Sequence, residues 1–134
     1  MHQPYVLIHQ ARPSHQILLH QACNAQRIFD VRITLDLADL DACLGRKRKV
    51  DLLILDHALA LAGGVALLNR IQRNPTLRAL LFTGQGSAHR PDLAKEARRR
   101  GLWVLADLPW PLPVQRWQQA LQRIQTVTSP THAQ

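Results

Sequence analysis

The fold turns on residues 51–64, DLLILDHALALAGG. Four consecutive apolar residues, Leu52 to Leu55, run into a carboxylate, Asp56, and a loop of small residues closes on Gly63 and Gly64. An unbroken apolar run of this length marks a strand buried on both faces, the signature of a parallel sheet covered by helices. Strands of such a sheet end at the ligand crevice, so this one delivers an acid to a place where chemistry is usually done.

Outward from this strand the sequence alternates between strand and helix patterns. YVLIH (5–9) predicts a first short strand, and Pro13-Ser14 opens a helix that carries Leu18, Leu19, Ala22 and Cys23 inward. FDVRIT (29–34) alternates apolar and polar, the period of a half-exposed strand. Asp36 caps a short helix through Leu37, Leu40 and Leu44, ended by Gly45, and RKRK (46–49) is a basic loop. Gly64 to Arg73 reads as a helix with Val65, Leu68 and Ile71 on one face, stopped by Asn74-Pro75. RALLFT (78–83) is a fourth strand, Pro91 to Gly101 a fourth helix, and LWVLA (102–106) a fifth strand. The last helix, 114–127, spaces Val114, Trp117, Leu121 and Ile124 along one face. Five βα units predict an α/β domain: one five-stranded parallel sheet, doubly wound, with helices on both faces. That domain spans residues 1–127, and the polar residues 128–134 read as a linker or disordered tail.

Composition narrows the function classes. A chain of 134 residues is one domain's worth, with a net charge of +8 that favours an anionic partner or a soluble basic surface. No apolar run is long enough to span a bilayer, and the N-terminus lacks the basic-then-apolar order of a signal peptide. Cys23 and Cys43 stand far apart, outside any CxxC or zinc spacing, and read as free thiols of a reducing cytoplasm. No HExxH motif occurs, and His9, His15, His20 and His57 share no metal-binding helical spacing. TGQGSAH (83–89) places His89 where a dinucleotide fingerprint needs its third glycine. ARRRG (97–101) reads as a solvated last helical turn with a Glu96–Arg100 pair rather than as a nucleic-acid patch. Nothing here reads as an enzyme.

Asp56 with Gly64 eight residues on, the segment GVALLNRIQRNP (64–75), Thr83 ending the fourth strand and LPW at 108–110 occur in a fixed order. In that order and spacing the chain resembles the receiver domain of bacterial response regulators. The resemblance implies a flavodoxin-like fold over Tyr5 to Gln125. It also implies a phosphoryl group transferred onto Asp56, with Mg²⁺ held by two carboxylates after the first strand and the phosphoryl oxygens held by a hydroxyl and a Lys. Here the acidic pair aligns with Gln10 and Ala11, or with His9 and Gln10 if the loop shifts by one. The Lys aligns with Leu108, the switch aromatic with Leu105, and the Pro four residues after the acid with Ala60. Of that machinery, Asp56 and Thr83 remain.

The expectation is therefore a degenerate receiver of a bacterial signalling protein, without Mg²⁺ or any other cofactor, acting independently of phosphorylation. By the same resemblance its contact surface is the face of the fourth helix, fifth strand and fifth helix, binding a protein partner or a second copy. Arg98, Arg99, Arg100, Leu105, Leu108, Trp110, Arg116 and Arg123 belong to that face, and an output domain is expected beyond Gln134. Two alternatives stay open: a working response regulator phosphorylated on Asp56 by a histidine kinase, and a pseudo-receiver holding a small molecule or nucleotide in the less acidic pocket.

Overall fold

A computed structural model describes residues 3–61, 63–85 and 92–128. Five strands form one parallel sheet: β1 (Val6–His9), β2 (Val31–Ile33), β3 (Val50–Asp56), β4 (Leu77–Thr83) and β5 (Val104–Leu108), in the order β2-β1-β3-β4-β5. The connecting helices are α1 (Pro13–Ala25), α2 (Leu37–Leu44), α3 (Gly64–Gln72) and α4 (Leu93–Arg99). Helix α5 (Val114–Thr128) closes the chain, and a 3₁₀ turn, His57–Leu61, follows β3. The strand order reverses between β1 and β3, so the crevice opens where the tips of those two strands part.

The central strand is buried along its whole length, and its alternation feeds two cores. Leu53 and Leu55 join Leu7, Leu80 and Phe82 against α2, α3 and α4, where Leu40, Leu67, Leu68, Ile71 and Leu93 meet them. Leu52 and Ile54 join Val6, Ile8 and Leu81 against α1 and α5 through Leu19, Cys23, Trp117, Leu121 and Ile124. Each fully buried Leu or Ile side chain contributes roughly 1.5–3 kcal/mol, so a sheet covered on both faces needs no disulfide. Both cysteines are free and buried.

Local signals set the element ends. The Asp36 carboxylate accepts from the Asp39 amide at the start of α2, and the Asp92 carboxylate accepts from the Lys95 amide at the start of α4. Pro91, expected to open α4, lies outside the described residues, as do positions 129–134 of the expected tail. Helix α5 continues through Thr128, one residue past the expected domain end.

Strand β5 starts two residues later than expected, and Leu108 is its last residue rather than a residue beyond it. The cause is at the end of α4. Gly101, at φ +78°, turns the chain, and the Leu102 amide bonds back to the Ala97 carbonyl, so residues 102–103 are spent leaving the helix. Four residues expected inward face solvent instead: Leu18, Leu37, Val65 and Val114. The inward stripes run through Leu19 and Cys23, Leu40 and Leu44, Leu68 and Ile71, and Trp117 and Leu121. Leu18 stands about 100° around its helix from Leu19, and the other three lie in the first turns of α2, α3 and α5.

Candidate functional site

Asp56 ends β3 at the switch point and is almost buried. Its Oδ1 accepts from the Ala58 amide at 2.9 Å, and its Oδ2 accepts from the Ala11 amide at 3.3 Å. The carboxylate is thus held by backbone donors of the β3–α3 and β1–α1 loops. Gly84, at φ +87°, lets the chain leave β4 tightly; a side chain there would come within 3.4 Å of Asp56 Oδ1.

Above the carboxylate lies a cavity of about 380 Å³ lined by Ala11, Arg12, His15, Asp56, Ala58, Gly84, Gln85 and Trp110. The His15 ring stacks on Trp110, centroids 4.0 Å apart, so Trp110, expected on the contact face, forms a wall of this cavity. Asp56 is the one carboxylate among these lining residues. The residues present do not fit Mg²⁺, which demands an octahedron of oxygens with carboxylate support. Arg12 and His15 stand on the rim, and Ala11 contributes an amide already turned to Asp56.

Gln10, at the position of a missing carboxylate, does something the sequence did not signal. Its side chain is buried, and its Oε1 accepts the hydroxyl of Thr83 at 3.0 Å. Thr83 is fully buried and also lies 3.4 Å from the Leu55 carbonyl. The amide nitrogen of Gln10 has no partner among the described residues. The hydroxyl aligned with the phosphate-gripping position is therefore occupied inside the chain. His9, beside it, bonds through Nδ1 to Thr34 Oγ1 at 2.6 Å, and burial pushes its pKa below the ordinary value.

His57, the neighbour of Asp56, points to the opposite face of the sheet. It is buried against Phe82 and bonds through Nε2 to Asp107 Oδ1 at 2.7 Å. Asp107 escaped notice in the sequence because it sits inside an otherwise apolar strand.

The structure divides the expected contact face. Leu105 and Leu108 are both buried, Leu108 completely, with their side chains in the α5-side core. A shallow groove of about 240 Å³ runs between α4 and α5, lined by Arg98, Leu105, Ala106, Arg116, Gln119, Ala120 and Arg123. Arg116 donates to the Asp107 carbonyl at 3.2 Å, and Arg123 donates to the Leu105 carbonyl at 3.3 Å. Arg99 and Arg100 turn the other way. Both grip Glu96, and Arg100 reaches Asn69 of α3. The two guanidiniums hold the Glu96 carboxyl down to about 2.

No family model matches the chain, and no curated relative matches it. Solved structures do. A response regulator from Colwellia psychrerythraea superposes with a TM-score of 0.72 at 15% identity, covering 95% of this chain and all of that one. A protein described as pilus assembly-related from Burkholderia pseudomallei gives 0.67 at 21% identity, covering 91% of this chain and 89% of that one. A protein described under pilus assembly from Burkholderia thailandensis gives 0.65 at 22% identity, covering 92% and 99%. The chain has the receiver fold. Asp56 occupies the tip of the central strand of that fold, beside Thr83 at the tip of β4, with Gln10 just past β1 and Leu108 paired to Thr83 at the tip of β5. In the described residues no helix is long and apolar enough to cross a membrane.

Proposed function

We propose that this chain is a degenerate receiver that docks a protein partner without the aspartyl-phosphate cycle. The observation that carries the reading is the Gln10–Thr83 hydrogen bond. Phosphorylation of a receiver works by recruiting that hydroxyl to a new anion, whereas here a neutral amide already holds it. Leu108 supplies neither charge nor hydrogen bond at the position aligned with the Lys, and Asp56 stands without a second carboxylate. Each lost electrostatic contact of this kind ordinarily supplies several kcal/mol of transition-state stabilisation.

The α4–α5 groove supports the docking half of the proposal. Arg98, Arg116 and Arg123 rim a floor of Leu105, Ala106 and Ala120, so the groove fits a partner that presents acidic groups around a small apolar contact. An isologous dimer would set these arginines against their own copies, so an acidic partner is the reading and a second copy is not. The similarity to proteins described under pilus assembly supports a place within a larger assembly.

Two measurements test this. Incubation with acetyl phosphate and Mg²⁺, followed by intact-mass spectrometry, should give no adduct; a hydroxylamine-labile adduct lost in Asp56→Asn would overturn the proposal. Sedimentation velocity at high micromolar concentration and low salt should show a monomer. A dimer weakened by Arg98→Glu or Arg116→Glu would replace the acidic partner with a second copy.

A further inference from the structure

Two of the nine acidic residues converge on one buried histidine, on the face of the sheet away from Asp56. His57, Asp92 and Asp107 each place a ligand-type atom within 4.8 Å of the others'. They come from three different elements: His57 follows β3, Asp92 precedes α4 and Asp107 lies in β5.

Of the nine acidic residues, Asp30, Asp39, Asp41, Asp51 and Glu96 each meet an arginine: Arg48, Arg32, Arg70, Arg78 and the Arg99–Arg100 pair respectively. Asp36 and Asp56 are held by backbone amides instead. Among the described residues no Lys or Arg side chain pairs with the carboxylate of Asp92 or Asp107. Arg116 donates to the backbone carbonyl of Asp107. The side chains meeting Asp92 and Asp107 in this cluster are each other and an imidazole that is 97% buried, at 3% exposure. An arrangement of two carboxylates and one imidazole, with no cation between them among the described residues, is the donor set of a transition-metal site with an open position.

The geometry points to a divalent transition-metal site, of the kind that takes Zn²⁺, formed by His57, Asp92 and Asp107. A tetrahedral ion needs its donors about 3.3 Å apart, from metal–ligand distances of about 2.0–2.1 Å. The His57–Asp107 contact at 2.7 Å would open slightly, and Asp92, which is exposed, would swing inward. Asp92 Oδ1 already accepts from the Lys95 amide, which leaves the second oxygen for a metal. Water completes the shell on the exposed side. Mg²⁺ is a poor match because imidazole suits softer ions. A bound ion would fasten the start of α4 to β3 and β5, beside the α4–α5 groove; the site itself does not depend on what that groove binds.

The test is titration of the full chain with Co²⁺, read by visible absorption and calorimetry, followed by displacement with Zn²⁺. One equivalent should bind with a tetrahedral-type absorption band that Zn²⁺ abolishes. Asp92→Asn keeps a good helix cap while removing the anionic donor, and should weaken binding by about tenfold or more. Asp107→Asn should do the same, with circular dichroism confirming that both variants fold. Absence of Co²⁺ and Zn²⁺ binding at millimolar metal would overturn the site and leave a plain imidazole–carboxylate pair. Binding unchanged in both folded variants would likewise overturn it, placing the metal elsewhere.

Discussion

The Gln10–Thr83 bond can be interrogated from both ends, and the two ends give opposite signs. Thr83→Val keeps shape and removes the hydroxyl. It leaves Gln10 Oε1 buried without a donor, next to an amide nitrogen that already has no partner among the described residues. A stranded buried acceptor costs about 1–3 kcal/mol. Gln10→Leu removes both amide atoms at once, while the Thr83 hydroxyl retains the Leu55 carbonyl at 3.4 Å. Relief of the orphan nitrogen then outweighs the lost bond, and the variant should be stabilised by about 1 kcal/mol. In a domain of this size 1 kcal/mol corresponds to roughly 3–5 °C in Tm. Thr83→Val should therefore melt roughly 3–15 °C lower, Gln10→Leu a few degrees higher, and the double variant close to Gln10→Leu. Urea unfolding followed by Trp fluorescence gives the same quantities as midpoint shifts. A Thr83→Val protein as stable as the parent, or a Gln10→Leu protein destabilised as much as Thr83→Val, would refute the reasoning.

Three further outcomes follow from the geometry. Gly64→Ala puts a methyl 2.7 Å from the Leu59 carbonyl and 2.8 Å from Leu93, so it should lower stability by about 1–3 kcal/mol in chemical denaturation. His9 has its pKa lowered by burial, so the unfolded chain binds its proton first as pH falls; stability should drop as pH goes below 6.5, until His9 charges in the folded state too, and the slope should shrink in His9→Gln. Burial pushes the Cys23 thiol up to about 12, so it should resist a disulfide reagent in the native chain and react on unfolding.

Much of the fold was legible because β3 is so strongly written. An apolar run of that length, followed by Asp56 and a glycine pair, leaves few architectures, and the capping acid Asp36 marks the start of α2 in plain view, whereas Asp92 caps α4 where Pro91 is the expected start. Strand β5 was misplaced because LWVLA is apolar from its first residue, whereas its start depends on how Gly101 unwinds α4. Leu18 and Val114 were placed inward because periodicity gives a stripe's spacing but not its phase against a sheet of finite length. At the site, the losses at Gln10, Ala11 and Leu108 were visible as absences. What replaced them was not. The bond from Thr83 to Gln10 joins residues 73 apart in sequence, and the one from His57 to Asp107 joins residues 50 apart. No local pattern encodes either. Asp51 shows the same limit: it shares a strand with Asp56 yet serves structure, accepting the Tyr5 amide at 2.8 Å and lying 3.7 Å from Arg78.

The two arginines that arch over β5 have a consequence for the sheet itself. Strand β5 pairs with β4 on one side only, and its outward carbonyls at Leu105 and Asp107 would accept hydrogen bonds from any extended segment laid alongside. Arg123 and Arg116 occupy those acceptors, so α5 blunts the free edge of the sheet with side chains rather than with a further strand. At the opposite edge β2 is only three residues long, too short to template much pairing. An acidic ligand that drew both guanidiniums away would uncover a strand edge as it bound, so occupancy of the groove and exposure of that edge are opposite sides of one exchange.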